Sequence, residues 1–290
     1  MKLKISELSK HIGKKVKLHM TLEVIRDQKH LQFLIGKDST GKLQLVIKKA
    51  KLDNHEEISQ LLEGSTFTAI GEIIEAKQSK TFGIEMQVEE LIIHSKSQAW
   101  PITPESSIDL RFDYRVVDLK SEKSQLMLKL RSAFESGCRE FLYSKEMTEI
   151  HTPKLMGTAS ESGSQVFKVD YFGGHAYLAQ SNQFFKEAAI ASGLDGVFEI
   201  APVFRAESSY STRHLTEFTG LDVEFAWCFG VQEVMKLEED MLTYAFSKLE
   251  PFVEKVKEVY GVELTTKPSI KYMSLSEAKE VLTQKGMKLG

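Results

Sequence analysis

The chain has 290 residues, of which 42% are hydrophobic and 27% are charged, and its formal net charge at pH 7 is −3. This composition is typical of a globular protein, and the length allows two domains with separate cores. No apolar run approaches the roughly 18–20 residues of a membrane span, and residues 1–4 do not resemble a secretory signal, so we expect no membrane partner. Cys138 and Cys228 lie far apart in sequence without metal-ligand spacing, which favours a reducing, cytoplasmic location.

Positive charge is concentrated at the N-terminal end. Residues 1–50 carry twelve Lys or Arg and four Asp or Glu, whereas the other 240 residues carry 26 and 37. Such an excess suits a surface that faces phosphates, but an ordinary solvated lysine-rich surface has the same composition. Charge alone leaves both interpretations open.

Residues 1–98 have the pattern of a small β-barrel. Short apolar or alternating segments separated by turn residues predict five strands, and Asn54–Leu62 predicts a short helix with Asn54 as its N-cap. The predicted strands are Val16–Val24, Leu31–Ile35, Leu43–Ile47, Phe67–Ile74 and Ile84–Ile93. Five strands with a helix after the third follow the order of an OB-fold.

Residues 99–115 are predicted to link the barrel to a second domain, residues 116–290. Ala99–Asp109 contains two of the six prolines and has little periodicity. Glycines 173 and 174 stand between Phe167–Val169 and Ala176–Ala179 and predict a hairpin. The other predicted elements are the helices Glu122–Tyr143, Gln183–Ser192 and Val231–Phe246 and the strands Gly196–Phe204 and Glu217–Trp227.

The stretch Val203–Trp227 is the most informative part of the chain. Arg205 stands at a strand end, where an arginine can bind a phosphate with two hydrogen bonds, and Phe218 offers a flat face to a nucleobase. Taken singly, Arg205 could simply pair with Glu207, and Phe218 could simply fill the core. As a whole, FRAE, the polar loop Ser208–Thr212 and then RHLTEF resemble motif 2 of the class II aminoacyl-tRNA synthetases in its aspartyl/asparaginyl form.

This resemblance implies an ATP-binding site. Arg205 would bind the α-phosphate and is the expected catalytic residue, and Phe218 would stack on adenine. Glu207 would hold the adenine or ribose side. Arg213 and His214 would lie near the phosphates.

Two earlier stretches resemble the same family. Phe141–Pro153 resembles motif 1, a long helix and a strand that build the family's dimer interface, so a homodimer is implied. By itself this stretch is an ordinary helix–strand unit. Glu161, followed by Ser and Gly, resembles the mobile loop over the amino acid, where the glutamate would meet the substrate ammonium.

Ala179–Glu187 resembles the amino-acid-binding stretch of the family, with Asn182 where proline is usual. In aspartyl members, a lysine at the position of Lys186 meets the substrate's side-chain carboxylate, whereas asparaginyl members usually carry an apolar residue. A cation in a partly dry pocket favours a carboxylate over a neutral amide. With Gln183 one turn earlier and Asp222 to orient the lysine, the resemblance implies a site for L-aspartate, although an exposed helix lysine is the ordinary explanation.

The barrel resembles the anticodon-binding OB-fold of the same family. Phe33 would stack on an unpaired anticodon base, and Arg26 and Gln44 would contact base edges or backbone. A core aromatic is the other explanation for Phe33, and the family's usual tryptophan before Arg26 is missing. Ser208, in the motif 2 loop, would contact the acceptor end of the tRNA.

The resemblance covers essentially the whole chain, with Leu110–Arg115 as the hinge, and implies an α+β fold. We expect a five-stranded OB-fold barrel followed by the antiparallel sheet and flanking helices of a class II synthetase, incomplete at the C-terminal end. The glycine-rich third signature is not found, so we expect a truncated product, a split subunit or a fragment that could be inactive alone. The short gap after motif 2, without a large insertion, resembles the archaeal or eukaryotic type of the family more than the bacterial type.

The implied reaction is ATP-dependent activation of L-aspartate to aspartyl-AMP and transfer to tRNA(Asp), with tRNA(Asn) open as a second acceptor. Mg²⁺ is the implied metal, with Glu224 as a candidate ligand and the main ligands expected beyond residue 290. Three alternatives remain: an asparaginyl enzyme, which Glu187 suits and Lys186 disfavours, an enzyme relaxed toward tRNA(Asn), and a non-catalytic RNA-binding paralogue. The last is disfavoured because Arg205, Glu207 and Phe218 are present.

Overall fold

The computed structural model describes residues 2–76, 83–159, 166–207 and 214–287. The chain forms two compact units, residues 1–121 and residues 122–290. Within the described ranges, no helix combines the length and apolar character needed to cross a lipid bilayer.

The first unit contains a closed barrel of five strands. Its strands are β1 (Lys15–Asp27), β2 (Leu31–Lys37), β3 (Lys42–Lys48), β4 (Thr66–Glu75) and β5 (Ile84–Ser95). They neighbour one another in the order β1-β2-β3-β5-β4, and β3 runs parallel to β5. The predicted barrel is confirmed, and every predicted strand lies inside an observed one.

The barrel core follows from the two-residue period of its strands. On β1, Leu18, Met20 and Leu22 point inward and are buried, while residues between them face outward. Each such burial contributes about 1.5–3 kcal/mol, so apolar burial is the main stabilising term. Gly71 lies at a bulge where a Cβ atom would stand 2.1 Å from the carbonyl oxygen of Gln87, so only glycine allows β4 and β5 to approach there.

The short helix α1 (His55–Ser59) follows β3, with Asn54 at its N-cap position as predicted. The Asn54 side chain is directed to the barrel instead of the helix, because its Nδ2 donates to the carbonyl oxygen of Leu91 at 2.9 Å. Asn54 therefore ties the helix to β5.

The segment that follows the barrel ends in two short helices. Helices α2 (Ile108–Asp113) and α3 (Arg115–Asp118) occupy part of the predicted linker. Asp118 is 3% exposed and accepts from Arg111 Nε at 2.6 Å and from the Arg115 guanidinium. Helices of six and four residues are too short to show a periodic pattern, so sequence analysis did not predict them.

The second unit is built on a three-stranded sheet with long helices on one face. Its elements are α4 (Glu122–Ser144), β6 (Thr148–Glu149), β10 (Gly196–Phe204), β11 (Glu217–Phe225) and α6 (Val231–Ser247). β10 and β11 are antiparallel, but β6 pairs with β10 in parallel, so this sheet is mixed where an antiparallel one was expected. The long connection from β6 to β10 permits the parallel pairing.

A smaller antiparallel sheet carries the predicted hairpin. It is formed by β7 (Leu155–Met156), β8 (Lys168–Tyr171) and β9 (Gly174–Leu178), in the order β7-β9-β8. Helix α5 (Gln183–Ala191) follows β9, as predicted. The remaining elements are α7 (Val253–Tyr260), α8 (Leu275–Gln284) and three 3-10 segments, Ile5–His11, Lys49–Lys51 and Glu250–Phe252.

The β10–β11 pair has two chemically different faces. Phe198, Ile200, Leu221 and Val223 belong to the apolar cluster formed with α4 and α6. The intervening residues, which include Glu199, Asp222 and Glu224, face the other way, and we call this side the polar face of β10–β11.

Candidate functional site

The polar face of β10–β11 brings together residues that are far apart in sequence. Glu199 on β10 pairs with Asp222 on β11, Val197 with Glu224, and Val203 with Phe218. Asp222, Glu224 and Phe218 therefore share one face with Glu199, and α5 lies against these two strands. Gln183 and Lys186 on α5 and Asp222 on β11, all three expected to bind the amino acid, meet here.

Lys186 is the buried cation of this face. It projects from α5, is 4% exposed, and its Nζ lies 3.2 Å from Asp222 Oδ1 and 3.8 Å from Glu224 Oε2. A buried ammonium requires a charge partner, so these contacts explain how the chain accommodates it. Lys186 is therefore not an exposed helix lysine, which was the ordinary explanation for its place in the sequence.

Gln183 lies one helical turn before Lys186 and joins the same cluster. Its Nε2 donates to Glu187 Oε1 at 2.9 Å and to Glu224 Oε2 at 3.2 Å. The cluster thus contains one cation, several carboxylates and an amide. Lys186 can bind a carboxylate, and the acidic groups can bind an ammonium. The cluster therefore suits an amino acid, which carries both charges.

Arg205 and Phe218 form the second part of the site. The Arg205 guanidinium carbon lies 5.6 Å from the centroid of the Phe218 ring, which is half-buried. Within the described ranges, Arg205 Nε is buried without a hydrogen-bond partner. A buried N–H donor that lacks an acceptor is costly, and an anionic ligand would satisfy it.

The other predicted ATP-site residues are only partly described. Glu207 is half-buried after β10, and His214 is exposed shortly before β11. Arg213, Ser208 of the motif 2 loop and Glu161 of the loop expected over the amino acid lie outside the described residues.

The predicted tRNA-binding residues share the outer face of the barrel. Arg26 pairs with Phe33 across β1 and β2, Phe33 pairs with Val46, and Gln44 lies two residues from Val46 on β3. Arg26 is exposed and Phe33 is partly exposed outside the buried barrel core. Gln44 Nε2 donates to Glu85 Oε2 at 2.9 Å. Sequence analysis missed Glu85, which only the β3–β5 pairing brings beside Gln44.

Glu199 is the main residue of the site in the second unit that sequence analysis missed. It is 2% exposed and accepts from the backbone N and Oγ1 of Thr152, both at 2.7 Å, from Lys154 Nζ at 2.8 Å and from Asn182 Nδ2 at 2.6 Å. Burial opposes its ionisation, but the bonds from Lys154, Thr152 and Asn182 outweigh burial and lower the pKa of the Glu199 carboxyl. A glutamate inside the apolar run VFEIAP was the available signal.

Comparison with known families agrees with this geometry. Residues 107–289 match the family described as tRNA synthetases class II (D, K and N). The match includes all the elements that form the polar face of β10–β11.

Curated relatives extend the similarity across the barrel. The aspartate–tRNA(Asp/Asn) ligase of Methanopyrus kandleri is 31% identical over 96% of the chain, and the aspartate–tRNA(Asp) ligase of Pyrococcus abyssi is 33% identical over 98%. The chain spans 66% and 67% of the lengths of these two relatives, or about two thirds.

Solved structures give the same result for the fold. The asparaginyl-tRNA synthetase of Pyrococcus horikoshii, complexed with asparaginyl-adenylate, superposes with a TM-score of 0.92 at 31% identity, covering 100% of this chain and 68% of that one. With a family match over more than half of its length, the chain belongs to the class II tRNA synthetases of the D, K and N group.

Proposed function

We propose that the protein is an aspartate–tRNA ligase, which activates L-aspartate with ATP and transfers the aspartyl group to tRNA(Asp). The observation that carries this proposal is the buried Lys186 between Asp222 and Glu224. A substrate carboxylate would give this buried ammonium a further charge-assisted hydrogen-bond partner, whereas a neutral amide would not. The names of the M. kandleri and P. abyssi relatives support the same substrate.

In the first step, an α-carboxylate oxygen of aspartate forms a bond to the α-phosphorus of ATP while the bond to pyrophosphate breaks. No protein nucleophile is required, so catalysis depends on positioning and on stabilising charge at the phosphate. Arg205 is the residue suited to this role, because its buried Nε has no acceptor among the described residues. In the second step, a hydroxyl of the terminal tRNA adenosine attacks the aspartyl carbonyl carbon and AMP leaves.

The remaining substrate contacts are assigned within the same proposal. Phe218 would hold the adenine, with Glu207 on the adenine or ribose side and Arg213 and His214 near the phosphates. Glu161 would meet the aspartate ammonium. Gln183 and Asp222 would complete the aspartate site around Lys186.

ATP fits the described residues, because a phosphate satisfies the unpaired Arg205 donor. In the described part of the chain, no group of three or more His, Cys, Asp or Glu side chains could hold a metal. Mg²⁺ at nucleotide sites is usually held by one or two carboxylates together with substrate phosphates, so Glu224 would be its protein ligand here and the ATP phosphates would supply others. Bound there, the ion would neutralise phosphate charge, and no step is assigned to it.

We assign tRNA recognition to the barrel and dimerisation to the α4 side of the second unit. The shared outer face of Arg26, Phe33 and Gln44 supports the first assignment, with Ser208 expected at the acceptor end. A groove beside α4 supports the second, because a homodimer would bury its apolar residues, such as Phe134 and Leu221, next to charged residues such as Arg131 and Glu135.

An asparaginyl enzyme is the second candidate. It is favoured by the P. horikoshii structure and by the asparagine–tRNA ligase of Thermoplasma acidophilum, which is 36% identical over 85% of the chain. The acidic groups Asp222, Glu224 and Glu187 around Lys186 could also accept from an amide. Lys186 itself argues against this candidate, because a buried ammonium meets a carboxylate better than it meets an amide.

The deciding experiment measures calorimetric binding and ATP–pyrophosphate exchange on the 290-residue chain, with L-aspartate and L-asparagine tested separately. Binding or exchange with aspartate and neither with asparagine supports the proposal. A preference for asparagine supports the second candidate. If neither amino acid binds, the proposal is wrong for this chain.

A further inference from the structure

Asn182 connects the start of helix α5 to β10, beside the contact that Gln183 makes with Glu224 on β11. Asn182 occupies the N-cap position, is buried, and donates through Nδ2 to Glu199 Oε2 at 2.6 Å. Its Oδ1 is buried without a hydrogen-bond partner among the described residues. The reverse amide orientation would place Oδ1 against the carboxylate, so the donor assignment follows from charge.

Glu199 is also held by two residues outside α5, Thr152 and Lys154. Thr152 donates to it twice, Lys154 donates once, and Lys154 Nζ also donates to Thr152 Oγ1 at 2.8 Å. The carboxylate position is therefore determined by β10 and by residues 152–154, independently of α5. Asn182 transmits that position to the helix.

Hydrogen bonds and strand pairing connect Glu199, Asn182, Lys186 and Asp222 in a closed loop through the proposed aspartate site. Glu199 bonds to Asn182, and the Asn182 carbonyl accepts from the backbone N of Lys186 at 3.1 Å. Lys186 Nζ reaches Asp222, which is the cross-strand partner of Glu199. A shift of the helix start would therefore move the Lys186 ammonium relative to Asp222.

We propose that Glu199 is a positioning residue that acts through Asn182 to fix the first turn of α5, and with it Lys186 and Gln183. The proposal rests on the assignment of an aspartate site to this face. It also gives Asn182 a function, which is to hold the start of α5 on β10 through its side-chain hydrogen bond to Glu199.

The test compares Asn182→Ala with wild type, because Glu199 keeps its bonds from Thr152 and Lys154 in this variant and the fold should persist. We expect the aspartate Kd or KM to rise about tenfold while the ATP Kd or KM stays within twofold, since loss of one hydrogen bond to a charged group is worth about one order of magnitude. Ser192→Ala, which removes a bond at the other end of α5, is the matched control.

Hydrogen exchange at the amides of Phe185 and Lys186 provides a readout that needs no substrate, because both donate to the Asn182 carbonyl. We expect exchange there to accelerate about fivefold or more in Asn182→Ala and to stay unchanged in Ser192→Ala. Unchanged exchange together with unchanged aspartate affinity would overturn the proposal. If the wild-type chain binds no aspartate, the proposed function fails. Hydrogen exchange at Phe185 and Lys186 then decides by itself whether Glu199 positions the helix.

Discussion

Lys186 is the residue on which the choice of amino acid depends. Replacing it with Leu should weaken aspartate binding by at least about 100-fold, because the substrate carboxylate would lose its buried cation while Asp222 and Glu224 remained. ATP binding should change little, since Arg205 and Phe218 are untouched.

Separate titrations with L-aspartate and with ATP measure this difference. Lys236→Leu is a suitable control, because Lys236 is an exposed helix lysine paired with Asp240. Equal losses for both ligands in Lys186→Leu would show that the lysine does not select the amino acid.

Glu199 makes a pH-dependent contribution to stability. Its pKa in the folded chain is below the ordinary value of 4.5, so its stabilising effect is fully present above that value and is lost as the pH falls through the folded-state pKa. We expect Glu199→Gln to lower the free energy of unfolding at pH 7 by about 2 kcal/mol. Denaturant unfolding at several pH values should show this difference shrinking below pH 4.5, and a constant difference would contradict the argument.

At the scale of elements, the short helices α2 and α3 depend on one buried carboxylate. Asp118 accepts from Arg111 and Arg115, so Asp118→Asn would leave two guanidinium groups without their charge partner. We expect a loss of about 1–3 kcal/mol in unfolding free energy. Chemical denaturation measures it, with Asp109→Asn, an exposed carboxylate on α2, as the control that should change little.

The elements also show what could be predicted from sequence. Every barrel strand was predicted because turn residues bound short apolar segments, and α4, α5 and α6 were predicted from their helical spacing. The pairing of β6 with β10 was not predicted, because β6 has only two residues and therefore shows no periodic pattern. Within the site, Lys186 and Asp222 were identified by resemblance, but Glu199 became visible only through the strand register that sets it opposite Asp222.

At the scale of the whole molecule, the barrel is expected to supply tRNA affinity and the second unit to supply chemistry. Phe33→Ala should weaken tRNA binding by about 1–3 kcal/mol, the usual contribution of one stacked base, and leave aspartate binding unchanged. Filter binding at fixed salt measures this, because phosphate contacts depend on ionic strength. Ile92→Ala is the control, because Ile92 is an exposed apolar residue elsewhere on the barrel. An equal loss of tRNA affinity in this variant would show that Phe33 has no specific role in tRNA binding.

The two faces of β10–β11 have a consequence for how this protein tolerates genetic change. Residues 198, 200, 221 and 223 belong to the apolar cluster formed with the helices, whereas Asp222 and Glu224 contact Lys186. In a library of all single substitutions, loss of abundance and loss of function at normal abundance should therefore alternate along β11, whereas substitutions at Glu199, which also stabilises the fold, should lower abundance as well. Deleting a single codon from either strand would exchange the two sets at once, so deletions there should be tolerated far less than substitutions.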